Sequence, residues 1–160
     1  IAVTSGNYLA HNNLGLALEA QGKLSEAEAN YRRAIELHPR YVDARVHLGI
    51  VLASQGRVDE AIVHYRTALR FRPDSVEAHY NLGSALVSQG DLQSAQASFY
   101  TVLRIDSRNV EAYNGLGVAY AKMGDLERSI QSFEAALRID PANSTARKNL
   151  KIVRSMKNRK

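Results

Sequence analysis

The chain has 160 residues with 21 basic and 16 acidic side chains and no cysteine, a size that fits one domain and a composition that excludes disulfides and thiolate chemistry while leaving the compartment open. No apolar run approaches the ~20 residues that span a bilayer. The net charge of +5 is local: Arg147, Lys148, Lys151, Arg154, Lys157, Arg159 and Lys160 crowd the end of the chain, and without these seven, fourteen basic residues stand against sixteen acidic, a balance of −2, which leaves no basic face along the body for nucleic acid.

A Leu-Gly pair returns every thirty-four residues, at Leu14-Gly15, Leu48-Gly49, Leu82-Gly83 and Leu116-Gly117. A second glycine follows at Gly22, Gly56, Gly90 and Gly124, then a ring at Tyr31, Tyr65, Phe99 and Phe133. Pro39, Pro73 and Pro141 close three of the units, and Ser107 stands at that place in the other. A fixed period of this length means a stacked array in which each unit buries its apolar face on the next.

In chain order, Ile1 and Val3 fall where Ile35 and Leu37 fall one unit later, so residues 1–7 read as the remnant of an upstream helix, and the parent protein is expected to continue upstream. The first unit predicts helix A near Tyr8–Gln21, stopped by Gly22, and helix B near Ser25–His38, with Ser25 and Glu28 spaced as a capping box and Pro39 marking the end. The second predicts helices at Val42–Gln55 and Asp59–Phe71, the third at Val76–Gln89 and Leu92–Ile105, the fourth at Val110–Met123 and Leu126–Ile139. Gly15, Gly49, Gly83 and Gly117 sit inside helix A, where glycine costs ~1 kcal/mol relative to alanine. Close approach of helix B through Ala27, Ala61, Ala95 and Ser129 is the expected reason, with the rings filling the space between units. A last helix is expected near Ser144–Lys157, with Ala146, Leu150, Val153 and Met156 as its apolar stripe and Lys151 where the glycine would be; it reads as a terminal cap.

This frame resembles the tetratricopeptide repeat, a thirty-four-residue helix-turn-helix with the pattern W-x2-L-G-x2-Y, A-x3-F, Pro. The second unit carries it as Leu48-Gly49, Ala61-x3-Tyr65 and Pro73. The tryptophan position holds His11, Arg45, His79 and Tyr113, and the tyrosine position holds Leu18, Leu52, Leu86 and Tyr120, departures read as core changes that keep the fold. The resemblance implies an all-α solenoid of four repeats (8–41, 42–75, 76–109, 110–143), wound as a right-handed superhelix, followed by a capping helix and basic tail over 144–160. It also implies a noncatalytic scaffold for protein–protein interaction.

The helix period places one stripe of each helix A on the inner, concave face, where an extended peptide would lie. Asn12, Asn13, Leu16, His47, Ile50, Tyr80, Asn81, Ser84, Asn114, Val118, Lys148 and Asn149 are the candidate peptide-binding residues. Asn13, Asn81 and Asn149 share one register, interrupted by His47 and Gly115. An amide offers a donor beside an acceptor and so pairs with peptide backbone of any sequence; in arrays of the resembled family such asparagines form a ladder on the ligand. The resemblance disfavours chaperone C-termini, since the basic residue and the asparagine of that carboxylate clamp are missing near Asn12 and Leu16.

No H-E-x-x-H pair, G-x-S-x-G elbow, glycine-rich phosphate loop or paired-carboxylate site appears, so neither metal, cofactor nor catalytic residue is expected. His11, His47 and His79 read as packing or groove lining. The basic tail reads as the solvated face of a cap, with lipid or nucleic-acid contact the other reading. Tyr8, Leu9 and Leu14 would border an uncovered edge, so self-association there is expected. Thr4–Gly15, as T-x-x-N-Y-x-A-H-N-N-L-G, is similar to repeats appended to bacterial glycosyltransferase-like membrane proteins. That implies a second reading, a substrate-recruiting region of a larger membrane-bound enzyme lying outside the cytoplasm.

Overall fold

The computed structural model describes residues 7–159. Of the expected remnant at residues 1–7, only Asn7 is among them, and it opens the first helix. The described residues form nine helices and no strand: α1 (Asn7–Ala20), α2 (Leu24–Leu37), α3 (Val42–Ser54), α4 (Val58–Phe71), α5 (Val76–Gln89), α6 (Leu92–Ile105), α7 (Val110–Met123), α8 (Leu126–Ile139) and α9 (Ser144–Lys157). The chain is thus an all-α solenoid of helix-turn-helix pairs. The last five helices begin and end where the sequence places them; the first two are shifted by one residue at both ends, and the third and fourth differ by one residue at one end.

Two compact units divide inside α5, after Asn81. In the first, α1 packs on α2 and α3, α2 on α3, and α3 on α4. In the second, α6 packs on α7, α7 on α8, and α9 on both α7 and α8.

The turn inside each pair is made by the second glycine. Gly124 takes φ 81°, the left-handed region, which lets its N–H reach back to Ala121 and ends α7. Helix starts are capped unequally. Asp91 and Asp125 accept from the backbone N–H groups of Ser94 and Arg128, and Asn109 and Asn143 from those of Ala112 and Ala146. Lys23, Arg57 and Tyr41 stand at the matching places in the first two pairs and offer no side-chain cap. The expected capping box is therefore not formed. Ser25 lies inside α2, and Glu28 instead binds Arg32 and, at 2.8 Å, Arg57, because two guanidiniums satisfy a carboxylate better than one backbone N–H does.

The core repeats with the sequence. Leu48, Leu82, Leu116 and Leu150 are buried, as are all four rings, whereas Leu14 is 50 % exposed. The helix-A glycines turn out to make room for rings rather than for alanines. A Cβ on Gly49 would lie 2.4 Å from Tyr65 Cε1, and one on Gly83 2.8 Å from Phe99 Cε1. Alanine's counterpart Ser129 does face the neighbouring helix, where its hydroxyl donates to the Gly117 carbonyl at 2.7 Å. The small residue thus meets the backbone of helix A and the ring fills the space of the missing Cβ. Tyr31 also stacks on His47 at 5.5 Å between centroids, and Phe99 would meet a Cβ on Gly115 at 2.4 Å. Each of these rings lies between its own helix A and the next.

Candidate functional site

Asn12 and Asn13 in the first pair are neighbours in sequence but differ in environment, since adjacent helical residues point about 100° apart. Asn13 is exposed, with Leu16 beside it. Asn12 is 4 % exposed and its Oδ1 has no partner. Burial removes Asn12 from any accessible stripe, a correction to its place among the candidates. Three repeats later in the same register, Asn114 is half-buried and donates through Nδ2 to Asn143 Oδ1 at 3.3 Å. Its amide serves the start of α9. This register thus ties α7 to the start of α9 at Asn114, and Val46, another member, is fully buried.

The register of Asn13 behaves differently. His47, Asn81 and Asn149 are half-buried on helix A. Among the described residues no hydrogen bond engages the side chains of Asn13, Asn81 or Asn149. The interruption at Gly115 has a steric cause, because the Phe99 ring occupies the place of a Cβ there. Ile50, Tyr80, Ser84 and Val118 are half-buried and Lys148 is exposed.

In the second unit these positions line a cavity. An open groove of about 380 Å³ lies between α7 and α9. Val118, Ala121 and Lys122 form one wall, Phe133 contributes from α8, and Asn149, Ile152, Val153 and Met156 form the other wall. Ile152 and Met156 are 46 % and 44 % exposed, so Met156 is part of the groove rather than of the docked stripe, which consists of Ala146, Leu150 and Val153. Lys122 Nζ lies 3.4 Å from the Val87 carbonyl and adds a positive charge to an otherwise apolar surface. Sequence reasoning missed Ile152, Phe133 and Met156 as groove residues. Ile152 was within reach, since it repeats Leu16, Ile50 and Val118 at the same spacing.

The register of the family's tryptophan also has a role that was not foreseen. Arg45 donates to the Pro39 carbonyl at 2.6 Å, and Arg147 to that of Pro141 at 2.6 Å. His79 Nε2 lies 2.9 Å from the Pro73 carbonyl. These are polar clamps on the turn, not core substitutions. His11 pairs with Asn30 at 3.0 Å, and His47 stacks on Tyr31. His64 lies among arginines; burial first, then Arg45 and Arg32, holds its imidazole below the ordinary histidine value. No group of three metal-ligating side chains gathers among the described residues.

The basic end of the chain is partly paired. Arg154 meets Glu134 at 2.7 Å and Lys157 meets Glu127 at 2.9 Å, so two of its charges tie α9 to α8. No helix among the described residues is long and apolar enough to cross a membrane.

Three comparisons bear on this architecture. A family model described as tetratricopeptide repeat matches residues 12–76, 64–109 and 80–144. No curated protein matches significantly. Among solved structures, MamA is 24 % identical with a TM-score of 0.82, over 90 % of this chain and 84 % of that one. YrrB, described as a tetratricopeptide repeat protein with an unusual peptide-binding site, is 24 % identical with a TM-score of 0.75, over 92 % and 76 %. PilF of Pseudomonas aeruginosa is 20 % identical with a TM-score of 0.87, over 98 % and 71 %.

Proposed function

Because the chain belongs to the tetratricopeptide repeat family, we propose that it is a noncatalytic scaffold whose helix-A face receives a peptide segment of a partner protein. The observation that carries this reading is the groove between α7 and α9. It is apolar, open, and lined by residues of the stripe that recurs along the helix-A register. Val118, Ile152 and Met156 would take the partner's apolar side chains, and burial of such groups is the main favourable term in association. The Asn149 amide, not engaged among the described residues, would pair with a backbone amide of the ligand. Lys122 would favour an acidic residue beside the apolar anchors.

A peptide-library screen on the full chain, with melting temperatures as a fold control, tests this. Ile152→Asp, at an exposed position, should abolish binding. Asn149→Ala should weaken many sequences alike by several-fold to tenfold, since one neutral hydrogen bond contributes ~0.5–1.5 kcal/mol. In the first unit, Asn81→Ala should behave like Asn149→Ala, and Tyr80→Ala should change which peptides are preferred. If these variants bind as the parent does while a substitution on the outer side of α8 abolishes binding, the helix-A groove is not the site.

A further inference from the structure

A second groove, of about 330 Å³, lies in the same unit between α6, α7 and α8, and none of its lining residues belongs to the first. Tyr100, Tyr113 and Tyr120 line it with Leu116, Arg128 and Gln131. This size is at the lower end of the ~300–1,000 Å³ usual for ligand sites. Tyr100 is 51 % exposed.

The polar chemistry of this groove is mostly donating. The hydroxyls of Tyr100 and Tyr120 lie 2.7 Å apart, and one proton fills that bond. Whichever hydroxyl donates, one O–H of the pair is left for another acceptor. The Arg128 guanidinium lies 5.7 Å from the Tyr120 ring centre. Its ion pair with Asp125 is long, 3.4 Å, and its side chain is 64 % exposed, leaving several of its five N–H donors open. Asp125 is also engaged at the start of α8, where it accepts from the Arg128 backbone N–H. Gln131 adds an amide on the exposed face of α8.

Aromatic faces combined with donors suit a ligand that is apolar, extended and rich in acceptors. A proline-rich segment has that character: proline has no N–H, and the polyproline II helix presents carbonyls outward with no internal hydrogen bonds. Such segments dock in aromatic-lined grooves with little ordering entropy to lose. Arg128 adds a preference for a carboxylate. We propose that the Tyr100–Tyr113–Tyr120 groove binds a proline-rich segment carrying an acidic residue. This surface is independent of the helix-A groove, and one reading can fail without the other.

The test uses the full chain and a fluorescein-labelled peptide of repeated prolines with one glutamate, followed by anisotropy. Saturable binding is expected. Tyr100→Ala should weaken it about tenfold or more, since it removes both an aromatic face and a donor. Tyr100→Phe, which keeps the ring, should show a smaller loss. Arg128→Ala should erase the preference for the glutamate peptide over its glutamine version. Arg66→Ala, in the first unit and in neither groove, should change nothing. The proposal is overturned by absence of saturable binding, by unchanged binding in Tyr100→Ala and Arg128→Ala, by equal loss in Arg66→Ala, or by tighter binding of an alanine-rich helical peptide of the same charge.

Discussion

A glycine inside a helix costs stability unless something requires its lack of a side chain. At Gly49 the requirement is visible: Tyr65 Cε1 would lie 2.4 Å from a Cβ. Gly49→Ala gains ~1 kcal/mol of helix propensity but forces a buried ring out of place, and overpacking costs ~1–3 kcal/mol. The melting temperature should therefore fall, although the same exchange on an exposed helix would raise it. Gly115→Asn should likewise destabilise, because Phe99 occupies the space that a restored asparagine ladder would need. Glu28 gives a prediction in pH. Burial raises its pKa, but hydrogen bonds from Arg57 and Gln55 and the charge and hydrogen bond of Arg32 outweigh that, so it lies below the ordinary 4.5. A group with a depressed folded-state pKa stabilises fully above its unfolded value and loses that contribution as pH falls through the folded one. Glu28→Gln should lower stability at neutral pH and flatten the acid limb below 4.5, read from urea melts at several pH values. An unchanged acid limb would mean that the Arg57 contact does not persist in solution.

The helices themselves differ in how they start. Asp91 and Asp125 begin α6 and α8 with φ/ψ of −78°/74° and −82°/78°, and Lys23 begins α2 with −83°/62°. The backbone at Lys23 is thus close to the form that an aspartate cap takes. Lys23→Asp should add the missing bond and place a negative charge at the positive end of α2, for a gain of ~1 kcal/mol. Asn143→Ala should cost ~0.5–2 kcal/mol, toward the upper end, because it removes the cap to Ala146 and the partner of Asn114 together. Thermal unfolding of both variants checks the pair. Similar small effects in both would place the stability of these helices in packing alone.

Across the molecule, the helix pairs that touch within each unit are neighbours or next neighbours along the chain. Stability in such arrays is close to a sum of unit and interface contributions. A lesion should then be felt mainly where it is made. Gly49→Ala should lower hydrogen-exchange protection in α3 and α4 more than in α8 and α9. Equal loss in all four would show that the described residues open as one cooperative body.

The period was readable because each repeat meets the same surroundings, so the same need recurs: leucine for the core, glycine at two places, a ring, a proline. Leu48, Leu82 and Leu116 announce buried positions, Gly22 and its counterparts announce turns, and the helix limits follow to within a residue. Family membership came from the same recurrence. The finer features depend on pairs that lie far apart in the chain and close together in the fold. Glu28 and Arg57 are separated by twenty-nine positions, and local spacing assigned Glu28 to a cap instead. Asn12 and Asn13 carry the same side chain, and only the packing of neighbouring helices decides that one is buried and the other exposed. The Tyr100–Tyr120 hydroxyl pair and the groove between Val118 and Ile152 each join different helices. Their chemistry arises from how those helices stack, a property of neighbouring surfaces that no single stretch of residues encodes.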